Sequence, residues 1–205
     1  MSIIKQIIIK NIHLFVNNNA VGNNNANTNN TMHNMNGMGC MNHNGWTTTG
    51  NDCMKSGSSM MMHTINSEEE FIVNMIPHHQ EAVDTAKLIL EKSTNIELKK
   101  LAQNIVDAQT REIAMMQWRL QSRYPNSDVK ANYENMMPDL VNLSGKELDR
   151  AFLDGMIMHH MWAIHMAQSV LQINHKAETA TLAENIISSQ NKEIREMQTM
   201  IDDLE

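Results

Sequence analysis

Two adjacent histidines, His78 and His79, follow Met75 at helical spacing, and the arrangement returns 81 positions later as Met156, His159 and His160. Residues three and four apart lie on one side of a helix, so each copy places a thioether and two imidazoles on or beside one face. Thioether sulfur and imidazole nitrogen are donors that suit Cu(I) or Ag(I) better than magnesium or calcium. On the segment after each copy, the same polar pair interrupts an apolar stripe: Gln109 and Glu112 in the first, Gln190 and Glu193 in the second. Polar side chains on a buried stripe need partners. A carboxylate accepting the second ring N–H of a metal-bound imidazole is the expected support. A metal-free His–Glu–Gln network that fixes the register of two hairpins is the competing reading of the same residues.

The second copy is richer in sulfur. Met158, Met161 and His165 share a face distinct from the core stripe, whereas the first copy has Pro77, Gln80 and Asp84 at those positions. Any metal site on that second surface therefore belongs to the second copy alone.

The elements that must position these groups follow from the repeat. The offset of 81 also superposes Phe71 on Phe152, Ala86 on Ala167, Leu101 on Leu182, Ile105 on Ile186 and Met116 on Met197. Apolar residues recur every three to four positions through both copies, the period of amphipathic helices. Ser67 with Glu70, Thr94 with Glu97 and Ser144 with Glu147 read as capping boxes that open helices. Pro77 removes the hydrogen bond to the Val73 carbonyl and is expected to kink its helix ahead of the histidines. Residues 124 to 143, with Pro125 and Pro138, read as an irregular connection longer than most. The expected fold is all-α: a four-helix bundle of two tandem hairpins over residues 67 to 205, with repeats at 67 to 123 and 144 to 205.

Residues 1 to 66 read differently. Asn17 to Asn30 is almost pure Asn with small residues and cannot bury enough apolar surface to offset chain entropy. After it come Met32, His33, Met35, Met38, Cys40, Met41, His43, Cys53, Met54, Met60, Met61, Met62 and His63, soft donors spaced by Asn, Gly and Ser. A soft metal ion could gather several of them on a disordered tail, at the entropic cost of ordering it. Cys40 and Cys53 could pair, bind metal or remain free thiols. Residues 1 to 16 are a candidate degenerate signal or interfacial anchor and the only candidate membrane contact, but Lys10 interrupts the apolar run and no convincing cleavage site follows.

Charge narrows the function further. With 16 basic and 23 acidic residues the chain carries a net charge of −7, so nucleic-acid binding has no electrostatic basis. The chain has 20 methionines and 10 histidines, which directs attention to soft metals again. The pattern Met-Ile-x-His-His-x-x-Ala, followed one helix later by Gln-x-x-Glu-Ile-x-x-Met, resembles the family called domain of unknown function 305, which includes periplasmic copper-binding proteins of the CopM type. The resemblance covers residues 67 to 205. It implies a ferritin-like bundle, binding of Cu(I) and Ag(I) by Met75, His78, His79, Met156, His159 and His160, an extracytoplasmic location, and sequestration or resistance rather than turnover.

The expectation is thus a copper-binding protein that prefers Cu(I), without a catalytic nucleophile. One alternative is a di-iron or di-manganese oxidase on the same bundle. That chemistry wants Glu-x-x-His on two helices, and the chain offers Glu112-x-x-Met115 and Glu193-x-x-Glu196. The other is a metal-free helical interaction module.

Overall fold

The structure is a computed structural model that describes residues 40–42, 45–47, 65–129 and 133–204. It divides into two units, residues 1–62 and 63–205. In the first, β1 (Cys40–Asn42) and β2 (Gly45–Thr47) pair antiparallel, with Met41 opposite Trp46. The backbone there pairs with itself, a local arrangement that composition does not reveal.

The second unit consists of α1 (Glu68–Lys92), α2 (Ile96–Arg123), α3 (Gly145–Leu171) and α4 (Ala177–Leu204). At the start of α1, Ser67 Oγ accepts the Glu70 N–H at 3.0 Å, and the Glu70 carboxylate accepts the Asn66 N–H at 2.8 Å. The second cap is Asn95 rather than Thr94: its Oδ1 accepts the Leu98 N–H at 3.1 Å, so the helix opens one residue later than the Thr94/Glu97 pattern indicates. Ser144 precedes α3 in extended backbone but makes no side-chain cap; Gly145 next to it has a φ of 57°, a conformation that favours glycine. Helix α1 runs through Pro77 without interruption.

Two apolar clusters divide the bundle lengthwise. One joins Phe71, Ile72 and Met75 of α1 to Met116 and Leu120 of α2, Val170 of α3 and Leu182 of α4. The other joins Ile89 of α1 to Leu98 of α2, Phe152 and Met156 of α3, and Met197 of α4. The N-terminal half of α1 therefore lies with the C-terminal halves of α2 and α3, which makes α1 antiparallel to both and α2 parallel to α3. Two parallel consecutive helices need a connection that returns along the bundle. The 27-residue α3 is about 40 Å long, which residues 124 to 144 can span when extended. This single long crossover is the connection that ferritin-like bundles use.

One end of the bundle is closed by polar contacts. The buried Glu68 carboxylate takes Arg123 Nη1 at 2.9 Å and the hydroxyls of Tyr124 and Thr179, tying α1, α2 and α4 together. Between the two apolar clusters lies the layer that holds the histidines. Among the described residues no helix is long and apolar enough to cross a membrane.

Candidate metal centre

The repeat places two equivalent contacts across the two hairpins. His79 on α1 donates from Nε2 to Glu112 Oε2 of α2 at 2.8 Å, and His160 on α3 donates from Nε2 to Glu193 Oε2 of α4 at 2.6 Å. A carboxylate only accepts, so both imidazoles carry a proton on Nε2, and in the neutral ring the lone pair is on Nδ1. Those Nδ1 atoms are buried and have no hydrogen-bond partner. Glu112 and Glu193 each meet the histidine of their own hairpin.

The other two histidines meet at the pseudo-twofold axis. The rings of His78 and His159 stack with centroids 3.6 Å apart and planes inclined by 34°. The spacing along α1 and α3 explains the division of labour: adjacent helical positions are about 100° apart, so His79 and His160 face their own hairpin partners while His78 and His159 face each other. His159 Nε2 lies 3.3 Å from Glu81 Oε2, a close polar contact outside strict hydrogen-bond geometry. His78 has no carboxylate, and both of its ring nitrogens are buried without a partner.

Burial holds the central pair neutral. The His78 imidazole is depressed well below the usual histidine value, first by burial and then by the neighbouring His159, His79 and His160. His159 is pushed down to about 4, again by burial first, with Glu81 opposing the shift. Glu81 itself resists ionisation through burial, yet contacts from His159, Tyr133 and the Met137 N–H outweigh this and lower its value. Both central imidazoles therefore offer lone pairs at neutral pH without losing a proton to bulk water first.

Met75 and Met156 are fully buried, but they belong to the two different apolar clusters, one on each side of the histidine layer. Gln109 and Gln190 are buried at this level too, and their side-chain amides lack partners. Met158, Met161 and His165 lie half-buried on α3, where Trp162 sits edge-on to His165 at 6.3 Å. Among the described residues, no three His, Cys, Asp or Glu side chains converge on one point. Low-coordinate soft ions bound by imidazole and thioether do not require such a carboxylate-and-histidine cluster. The orphaned buried nitrogens are the structural feature that fits an ion.

Two participants are absent from the sequence pattern. Glu81 and Tyr133 flank the central pair: Tyr133 donates its hydroxyl to Glu81, and its ring meets His78 at 6.3 Å. Burial, followed by the Glu81 carboxylate, raises the Tyr133 phenol above its usual range. Their counterpart signal is missing because Glu81 aligns with Trp162 and Tyr133 lies in the unrepeated crossover. The tail donors Met32, His33, Met35, Met38, His43, Cys53, Met54, Met60, Met61, Met62 and His63, like residues 1 to 16, lie outside the described residues, and only backbone pairing is described for Cys40 and Met41.

The bundle has relatives among known proteins. The family model "Domain of unknown function (DUF305)" matches residues 68–201. Among solved structures, "CopM in the Cu(II)-bound form" is 33% identical, with a TM-score of 0.62, covering 67% of this chain and 97% of that one. "CopM in the Cu(I)-bound form" is 34% identical, with a TM-score of 0.61, covering 68% and 98%. "CopM in the Ag-bound form (by soaking)" is 35% identical, with a TM-score of 0.60, covering 67% and 96%. No curated protein matches the chain.

Proposed function

Since the chain belongs to the DUF305 family, whose match spans nearly all of its bundle, we propose that it binds copper as cargo, Cu(I) in preference, and Ag(I) as a soft congener. The observation that carries this reading is the set of buried, partnerless Nδ1 atoms on His79, His159 and His160, each on a ring whose Nε2 faces a glutamate. Those rings present one lone pair toward the interior, which is what a carboxylate-supported metal ligand does. The thioethers of Met75 and Met156 supply the soft donors beside them. The half-buried group Met158, Met161 and His165 provides a more accessible second station. The solved CopM structures with Cu(I), Cu(II) and Ag support the choice of metal.

The protein sequesters or hands on the ion without turnover. The tail between residues 32 and 63 captures it first, outside the cytoplasm as the family resemblance implies. A full-length chain with 15N-labelled histidine tests the ligand assignment by NMR. Addition of Ag(I) is expected to move the Nδ1 resonances of His79, His159 and His160 while their Nε2–H signals persist. Loss of the Nε2–H signals, with Nδ1 unmoved, sinks the assignment.

A further inference from the structure

Glu81 uses both of its carboxylate oxygens at once. Oε1 accepts the backbone N–H of Met136 at 2.8 Å and of Met137 at 2.9 Å. Oε2 accepts the Tyr133 hydroxyl and lies 3.3 Å from His159 Nε2. One side chain thus joins a central histidine to residues 133–143 of the crossover. That segment is seated elsewhere as well: Leu140 is buried in the core, Lys92 Nζ donates to the Val141 carbonyl, and Pro138 rests against Gly155. An open groove of about 1210 Å³ runs between α1 and the crossover. Glu81 and Tyr133 line it and none of the four histidines does. Glu81 and Tyr133 are thus the groove-lining residues that also contact the histidine pair. The second hairpin has Trp162 at the position of Glu81, so the arrangement is not duplicated.

We propose that Glu81 is a positioning residue that couples metal loading of His159 to closure of segment 133–143, so that the contact orienting the ligand also shuts the segment over the ion. The proposal rests on the reading of His159 as a ligand. An ion on Nδ1 withdraws electron density from the ring and makes Nε2–H a stronger donor, which strengthens its contact with Glu81. Glu81 is then held more firmly in the place where it binds the two N–H groups of the segment. Coupling is reciprocal, so a seated segment raises metal affinity by the factor with which the metal protects the segment.

Glu81→Gln separates the two roles. Both carboxylate oxygens accept, whereas glutamine has one accepting oxygen and an amide that faces donors, so it serves the segment or the histidine but not both. Tyr133→Phe removes one donor to Glu81 Oε2 while leaving the carboxylate, and so both its N–H contacts and its contact with His159, in place. The test is amide exchange at Met136 and Met137 in the full-length chain, with and without Ag(I), read beside Ag(I) affinity, with circular dichroism confirming the fold of each variant. Ag(I) is expected to slow exchange at both amides about tenfold. Glu81→Gln abolishes that difference and weakens Ag(I) binding by a similar factor, and Tyr133→Phe lowers both by a smaller, matched factor. Unchanged exchange at Met136 and Met137 in the loaded protein overturns the coupling, as does a variant in which affinity falls but metal-induced protection persists. His159→Ala separates this failure from that of the ligand reading: if it binds Ag(I) like the parent, the ligand reading fails and the coupling falls with it.

Discussion

In an unfolded chain His159 takes up its proton near pH 6.5, whereas in the metal-free bundle burial delays this to about 4. Between those two values the unfolded state binds a proton that the folded state refuses, so acid favours unfolding. Stability from this group is fully present above pH 6.5, falls as the pH drops through the window, and levels off below about 4. A difference from 6.5 to about 4, at 1.36 kcal/mol per unit, is about 3 kcal/mol at the acid end and about 2 kcal/mol at pH 5. His78, also depressed by burial and its histidine neighbours, adds to the loss in the same direction. Such a loss is a large part of the roughly 5–15 kcal/mol typical of a domain. Urea unfolding of metal-free protein at pH 7.5, 5 and 4.5 measures it. His159→Gln, neutral throughout, isolates the share of this residue and is expected to flatten the acid slope by about 2 kcal/mol at pH 5. Identical slopes in parent and variant would refute the reasoning. They would mean that His159 is protonated in the fold, paired as a cation with Glu81.

Three further outcomes follow from the packing. The amide of Gln109 is buried without a partner, which costs roughly 1–3 kcal/mol, so Gln109→Leu is expected to leave the metal-free bundle as stable or more so in urea titration; a loss above about 1 kcal/mol would mean that the amide is paired after all. A Cβ at Gly155 would meet Pro138 Cδ at 2.6 Å, and overpacking of about 1–3 kcal/mol should outweigh the roughly 1 kcal/mol that alanine gains over glycine in a helix. Gly155→Ala therefore lowers the unfolding midpoint, and a higher midpoint would show that the crossover does not seat there. Ag(I) at a hundredfold excess over its dissociation constant should stabilise the parent by about 2.7 kcal/mol, seen as a raised Tm in calorimetry. An unmoved Tm would favour the metal-free interaction module.

The bundle was legible because the same fact was written twice. Phe71 and Phe152, Met75 and Met156, and the two Gln–Glu pairs repeat at one offset, and the helical period gives each its face. Periodicity placed both histidines of each pair on or beside the buried stripe but could not say which faced which partner. A rotation of one residue decides that His79 and His160 meet Glu112 and Glu193, and that His78 and His159 stack. Glu81 and Tyr133 escaped for a physical reason. The repeat is a guide to what two hairpins share, and these residues break the symmetry, one standing where the other hairpin has tryptophan and the other lying in the crossover. The α2 cap shifted by one residue because Thr94, Asn95 and Ser93 are all capable caps in sequence, and only the backbone selects Asn95.

The most direct test of the account is a competitive Cu(I) titration of the full-length chain against the same chain with His78, His79, His159 and His160 all replaced by alanine, after circular dichroism has confirmed that the variant keeps its helices. If the buried imidazoles hold the ion, the tight Cu(I) binding disappears and only the weaker capacity of the tail and of the Met158, Met161 and His165 surface is left. Affinity and stoichiometry unchanged from the parent would contradict the claim and move the metal site out of the bundle's core.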